Sequence, residues 1–468
     1  VNMKLREMFS RRKRLRLIPS LLPPFAIVLV IATLHFLAVG SDPNQSDSQA
    51  GDTAGYASVI CPGALGGATA RISLPSKKLA IRTIEPGSTS LHRVKTLGFS
   101  LTSLPIFVSG NPGTAIVSEK ITSTSVAAVP CSAGGSDQWF IGGSGGVSNK
   151  GVLDVVNSGL SNSTVHIFPF SNHGELAPIT LVIKANSDRK ISLASLAPGE
   201  ASIALHVVSE SGRVSSFMLD HRKQGLKEKG SSFVPPQESP RGQIFLGGVQ
   251  RITVGKSVPQ VTMRFLVPGD VDADVQLTIH TATSSFTPLG FDMHTVAHQR
   301  VVDLQLPVMT NSESGGIYGI EVTSDQPLFA SALWNGDGDF AWSGALEPLS
   351  TFQANLNGVH CGFVFMGTSI NLTARWIDSL GKSRSQSLVG QGEVVWAPKV
   401  ALNKIEFAPV NSRQSGATEV ETPIFGGAIV SSGGVSSIAL QAPALATLSP
   451  APISDLRVLT LMDSQANR

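Results

Sequence analysis

The chain has 468 residues, 42% of them apolar and only 15% charged, with 46 glycines; that is too long for one ordinary domain and apolar enough for several cores. The charged fraction is well below the ~25% of an average soluble protein, and the Gly-, Ser-, Thr- and Val-rich usage suits strands and tight turns rather than helices. The net charge of +3 resides in a tail: residues 1–16 hold seven bases and one acid, leaving 29 bases against 32 acids in the rest, so no basic surface remains and nucleic acid is excluded as an expected partner.

In chain order, residues 1–16 read as a basic cytoplasmic tail and 17–40 as a transmembrane anchor or signal segment. Leu17–Val39 contains no Asp, Glu, Lys or Arg. As a helix it would extend roughly 35 Å, enough for a hydrocarbon core of about 30 Å. Basic residues before it and polar, acidic sequence after it orient the tail inward and the body outward. The competing reading is a signal peptide cleaved before Ser41, since Ala38 and Gly40 are small. Both readings export the body, at the cytoplasmic membrane in one case and secreted in the other.

The three cysteines fit that compartment. Bridging Cys61 to Cys131 would close a loop of about 70 residues and stabilise by a few kcal/mol, with Cys361 left free and buried; the alternative is three unpaired buried thiols. No Cys/His spacing matches a zinc site.

Residues 41–55 form a polar linker. Beyond it, Val275–His280, Val302–Leu306 and Ile370–Trp376 alternate apolar and polar residues, the pattern of strands with one buried face in paired antiparallel sheets. Segments also repeat. Gln138–Gly143 (QWFIGG) returns as Gln243–Gly248 (QIFLGG), and Val208–Ser216 corresponds to Val322–Ala330, with Val430–Ser437 as a candidate third copy. A period of 100–110 residues matches a β-sandwich module. The expected division is 56–224 for an N-terminal segment plus a first β-sandwich module, 225–242 for a linker and 243–350 for a second module. A third module follows at 351–442, and 443–468 form a tail.

An early Cys61-Pro62-Gly63, a second cysteine shortly before Trp139–Gly143, Val152–Asn157, Ser211–Asp220 and Asp339–Trp342 together resemble an actinobacterial secreted or membrane-anchored family known only as a domain of unknown function. The resemblance spans most of residues 56–450. It implies a cell-envelope setting and supplies no active residues.

Several motifs invite chemical readings. Gly142-Gly143-Ser144-Gly145-Gly146 is a literal G-x-S-x-G, but a nucleophile elbow needs a helix after the serine, and a second strand is expected here instead. The second copy keeps the glycine pair and replaces the serine by Val249, so the glycines read as architecture. Asn335–Asp339 resembles the opening of a calcium loop, yet Phe340 and Leu346 occupy the positions where an EF-hand requires Gly and Glu. Asp270, Asp272 and Asp274 raise the same question, and both clusters read as solvated turns. His294 and His298, four residues apart on a strand, would lie about 13 Å apart, too far to share one ion. Trp334 and Trp342, flanking the Asp/Gly loop, are the best candidates for an exposed aromatic pair, yet aromatics next to a hairpin usually pack onto their own sheet, and core packing is the reading taken.

The fold expected is all-β: tandem immunoglobulin-like β-sandwich modules preceded by one N-terminal transmembrane helix. No catalytic residue, metal ligand or cofactor is assigned; the disulfide Cys61–Cys131 is the one site expected. The function that fits is a non-enzymatic, membrane-anchored envelope scaffold or binding module for a protein or glycan partner. The alternative is an accessory enzyme of envelope glycan assembly with a dispersed site.

Overall fold

Alternation becomes structure where it was read. Ala273–Thr281 is a strand whose Ala273, Val275, Leu277 and Ile279 are buried while Asp274 and Gln276 face water. The computed structural model describes residues 58–441 apart from 67–68, 111, 211, 213, 251–260, 308–315, 337 and 411–421. The tail 1–16, the apolar segment Leu17–Val39, the linker 41–55 and the terminal 443–468 lie outside the described residues. Within them, no helix is long and apolar enough to cross a membrane.

The described strands fall into four modules, I to IV, of eight strands each. Module II shows the plan: Asp137–Ile141, Val152–Asn157, Ser163–Ser171, a fourth strand in two pieces (Gly174–Glu175 and Ile179–Ile183), Ser187–Ser192, Ile203–Ser209, Val214–Gln224 and Lys227–Val234. Numbered one to eight, they form one sheet ordered 4-3-6-1 and another ordered 5-2-7-8, all antiparallel. Module I, from Ser58–Cys61 to Ala127–Pro130, has the same order. Module III runs from Arg241–Gln250 to Phe340–Ser343, with strands six and seven continuous as Ile317–Asn335. In module IV the first three strands are one bent strand, Phe352–Asp378, and the fourth and fifth are Ser383–Trp396; the pairings repeat again. A strand that passes from one sheet to the other must bend, and register shifts mark the bends in module IV, as at Gly367/Ile370.

The β-sandwich reading holds, with corrections. Residues 58–130, read as an N-terminal segment, are a complete module. The order also differs from an immunoglobulin domain, where the first strand lies beside the second: here the first pairs with the sixth and the seventh with the second, so these two strands have exchanged sheets. Residues 225–242, read as a linker, contain the eighth strand of module II, the short strand Pro236–Gln237 and the start of module III. An exposed, charged hairpin followed by prolines has the composition of a linker, which is why the sequence misleads there. Val430–Ser437 spans strands seven and eight of module IV, whereas Val208–Ser216 spans six and seven of module II, so the candidate third copy is displaced by one strand.

The disulfide is formed as expected, with Cα atoms 4.5 Å apart. It joins the end of the first strand of module I to the residue after its eighth, beside a backbone bridge from Ile60 to Ser132, and so fastens the module's two ends together. Cys361 is free and buried, and burial pushes its thiol up to about 12, which makes it inert.

The modules share their cores. Phe217, Leu219 and Phe233 of module II pack into the core of I, while Leu333, Phe340 and Trp342 of III pack into that of II. Val364, Met366 and Ile429 of IV join the core of III, and Ile116 and Ala128 of I join that of IV. The four modules therefore close a ring.

Candidate functional site

The centre of the ring is built from the four eighth strands. Lys227–Val234 touches Phe340–Ser343, which touches Val435–Ala439, which touches Ala127–Pro130, which returns to Lys227–Val234. Small residues permit this approach: Ala127, Ala128, Ser231, Ser232, Ala341, Ser436 and Ser437 are all buried. Between strands, Ser232 Oγ accepts the Trp342 N–H at 3.0 Å and Ser436 Oγ accepts that of Ala128 at 2.9 Å.

Asp339 sits where the eighth strands of modules I, III and IV begin and beside the middle of Lys227–Val234, only 3% exposed. One carboxylate oxygen accepts the N–H of Val126 (module I) and of Val435 (module IV), each at 3.0 Å, and the other accepts that of Ser231 (module II) at 3.1 Å. The N–H of Phe340, in its own module, also contributes. One side chain thus holds the corresponding backbone donor of every module. The residues equivalent to Asp339 are Ser125, Gly230 and Gly434, and a Cβ on either glycine would overlap the carboxylate. Burial raises the Asp339 carboxyl to about 6, the four N–H groups pulling the other way. The loop Asn335–Asp339, read as a solvated turn, therefore places its last carboxylate at a buried junction of all four modules, where it accepts backbone donors.

Further along the eighth strands lies a cleft of about 130 Å³ lined by all four modules. Its walls are largely apolar, including Phe140, Met218, Phe233 and Ile438, and its lining holds three acids, Asp137, Glu238 and Glu347, with no Lys or Arg. His206 engages Asp137 at 2.8 Å and Arg241 engages Glu347 at 2.6 Å. Glu238 is exposed and makes no ion pair among the described residues. Ser216 also lines the cleft; it is fully buried, its N–H donates to Gln138 Oε1 at 2.9 Å, and its hydroxyl has no hydrogen-bond partner.

Other buried charges lie at the joints between modules. Arg264 of module III, 2% exposed, binds Asp303 through two nitrogens at 2.7 and 2.8 Å and reaches into module II to donate to the carbonyls of Gly143 and Ile203. Burial pushes the Asp303 carboxyl up, but the bonds and charge of Arg264 outweigh it and hold the group below its ordinary value. Asp154 faces module I from a fully buried position and makes no hydrogen bond. Burial raises it to about 8, with nearby Lys190 pulling down and Asp188 pushing up. Glu393 of module IV accepts the Gly319 N–H of module III at 3.0 Å with one oxygen, and burial again raises it to about 8. None of these acids was legible from spacing, because a lone carboxylate on a strand looks the same whether its face meets water or another module.

The motifs singled out from sequence are not brought together. Ser144 is 5% exposed; its Oγ accepts from the Gly146 N–H and Asn149 Nδ2 and donates to the Glu200 carbonyl, so it fastens a turn. Gly143 and its counterpart Gly248 both have positive φ, +83° and +70°. A Cβ on Gly145 would fall on the Ala197 carbonyl oxygen. Ser144→Ala is accordingly expected to cost no more than about 1–2 kcal/mol, the worth of a turn hydrogen bond. Gly143→Val is expected to cost at least about 1–3 kcal/mol from the backbone alone, with crowding against Met218 added; thermal melts of the full chain compare them, and equal effects would contradict this assignment. His298 binds Asp272 at 2.5 Å while Asp274 accepts from Thr295, and no three metal-ligating side chains cluster among the described residues. Trp334 and Trp342, weighed as an exposed pair but read as core residues, are both 0% exposed; their indole N–H groups donate to Ser343 and Asp220. They are core residues at the ring's centre because the hairpin carrying them faces the other modules.

Among solved structures, the chain is similar to a tetra-tandem repeat in the extending region of a large adhesion protein. That likeness has 9% identity and a TM-score of 0.12, covering 83% of this chain and 100% of the other, and it is too remote to carry an argument. No curated protein matches the chain. A family model does: residues 113–388, more than half of the chain, match the family of unknown function DUF5719, and the protein belongs to that family.

Proposed function

We infer that this protein is a non-catalytic scaffold of the cell envelope that presents the central cleft as a binding surface outside the cytoplasmic membrane. The observation that carries the reading is the ring itself: four modules fuse their cores and converge on one cleft, which makes a rigid platform rather than independently moving domains. The buried ionisable groups support it, because Asp339, Arg264 and Glu393 each spend hydrogen bonds on joints between modules. The formed disulfide suits an oxidising compartment outside the cell. Leu17–Val39, preceded by seven bases, would serve as the single-pass anchor.

The topology has a direct test. Protease added to wall-less cells is expected to remove the body while sparing the basic tail. Survival of the body in intact cells, with degradation only after lysis, would overturn the external placement. Finding Ser41 as the mature N-terminus would instead replace the anchor by secretion.

A further inference from the structure

We propose that an exposed basic corner of module I docks onto the anionic lipid headgroups of the membrane that anchors the chain. This rests on the membrane-anchored reading above and gives that scaffold a face toward the bilayer. The balance of 29 bases against 32 acids, read from sequence as leaving no basic surface, conceals an uneven distribution. Residues 58–130 hold seven bases and two acids, whereas residues 131–468 hold 22 bases and 27 acids. Of the two acids in module I, Glu119 is fully buried and accepts the N–H groups of Leu65 and Gly66. The other, Glu85, follows the end of the strand Ala80–Thr83, whereas the bases gather at its start.

Strand register gathers them. The edge strand His92–Arg93 pairs with Ala80–Thr83, Arg93 lying opposite Ala80. The Val94 N–H donates to the Leu79 carbonyl at 3.0 Å, which carries the register on toward Lys78 and Lys95. Leu79 and Val94 are buried, so alternation turns Arg93 and Lys95 to the outer side, beside Lys77 and Lys78 in the turn before Leu79. All four bases are exposed, and none forms an ion pair among the described residues. Like charges brought this close repel one another, and the module plan does not require them as edge protection. The corresponding strands of module II, Gly174–Glu175 and Ile179–Ile183, and of module III, Ser284–Phe286 and His294–Val296, contain no Lys or Arg. Such a corner suits an anionic partner. The layout of the chain selects which one: residues 41–57 join module I to Leu17–Val39 and span at most about 60 Å even fully extended. Each Lys or Arg brought to an anionic leaflet raises affinity about fivefold, so four of them turn a tether into docking. The rest of the body, richer in acids than bases, is repelled by the same surface.

The test uses the full chain with vesicles of phosphatidylcholine alone and of phosphatidylcholine mixed with phosphatidylglycerol. Acylation of each lysine by a water-soluble succinimidyl ester is followed by mass spectrometry. Lys77, Lys78 and Lys95 are expected to react at least about fivefold more slowly in the anionic vesicles, and high salt should restore their rates. The exposed Lys227 and Lys229 of module II should not change. Arg93→Gln with Lys95→Gln, which weakens docking about 25-fold, should return Lys77 and Lys78 to their rates in neutral vesicles. Lys77→Gln with Lys78→Gln should do the same for Lys95. Equal rates in the two kinds of vesicle would overturn the proposal. So would protection already complete in neutral vesicles, which would assign the corner to the acidic linker 41–55, or protection by DNA or polyglutamate with none by anionic vesicles. Flotation with neutral vesicles reads the anchor separately. A chain that floats with its lysines unprotected keeps the anchor and loses the docking. Protection in anionic vesicles of a chain that does not float with neutral ones keeps the docking and loses the anchor.

Discussion

Asp339→Ala is expected to cost on the order of 3–5 kcal/mol, near the top of what single substitutions do. The carboxylate accepts donors from modules I, II and IV at 3.0–3.1 Å, so its removal orphans buried N–H groups in all of them at once. An unsatisfied buried donor costs about 1–3 kcal/mol, and no surface position offers a comparable concentration of them. The loss should appear in calorimetry as separation of one transition into several, because the joint between modules fails before their separate cores do. Asp339→Asn should be intermediate: it keeps one acceptor and turns an amide N–H₂ toward N–H donors. Formate should partly restore the melting temperature of Asp339→Gly, since a small carboxylate fits the vacated cage of donors and binding to the folded state stabilises it. A drop of only a degree or two in the alanine variant would show that the ring does not depend on this residue.

Stability is expected to rise as the pH falls from about 8 toward 4.5, the reverse of ordinary acid denaturation. Asp154 and Glu393 are each raised to about 8 in the folded protein by burial. In the unfolded chain they titrate near 3.8 and 4.5, their ordinary values. Below those values both states are protonated and nothing changes. Between them and 8 the unfolded chain gives up protons that the folded one keeps, so stability is lost as pH rises, by about 1.4 kcal/mol per pH unit for each group at most. Asp339, raised to about 6, adds to the same trend over a narrower window. Asp303, Asp378 and Glu321 are held below their ordinary values and oppose it only at lower pH, where they become protonated. Melting curves across this range should therefore slope downward with pH, and Asp154→Asn combined with Glu393→Gln should flatten them. A melting temperature that falls steadily on acidification from pH 8 would refute the assignment.

The sequence by itself determined the all-β character and the module near 100 residues, and it pointed to the Cys61–Cys131 pairing that the structure forms. These properties are local or pairwise: alternation in Val275–His280 selects one buried face, Gly143 and Gly248 answer to their own φ, and Cys61 has a partner at a readable distance along the chain. What the tertiary structure alone decided was how many modules there are and which faces they bury. Module I went unseen because its strands are short, several having only four residues, and each gives too little alternation to register. Residues 225–242 read as a linker because a charged hairpin and a spacer have the same composition. Asp339 read as solvated because a hairpin tip is exposed in an isolated sandwich. In the ring that tip meets three other modules, so its burial depends on residues more than 200 positions away, as in the bond from Asp339 to Val126, and no local pattern along the chain encodes which distant surface a face will meet.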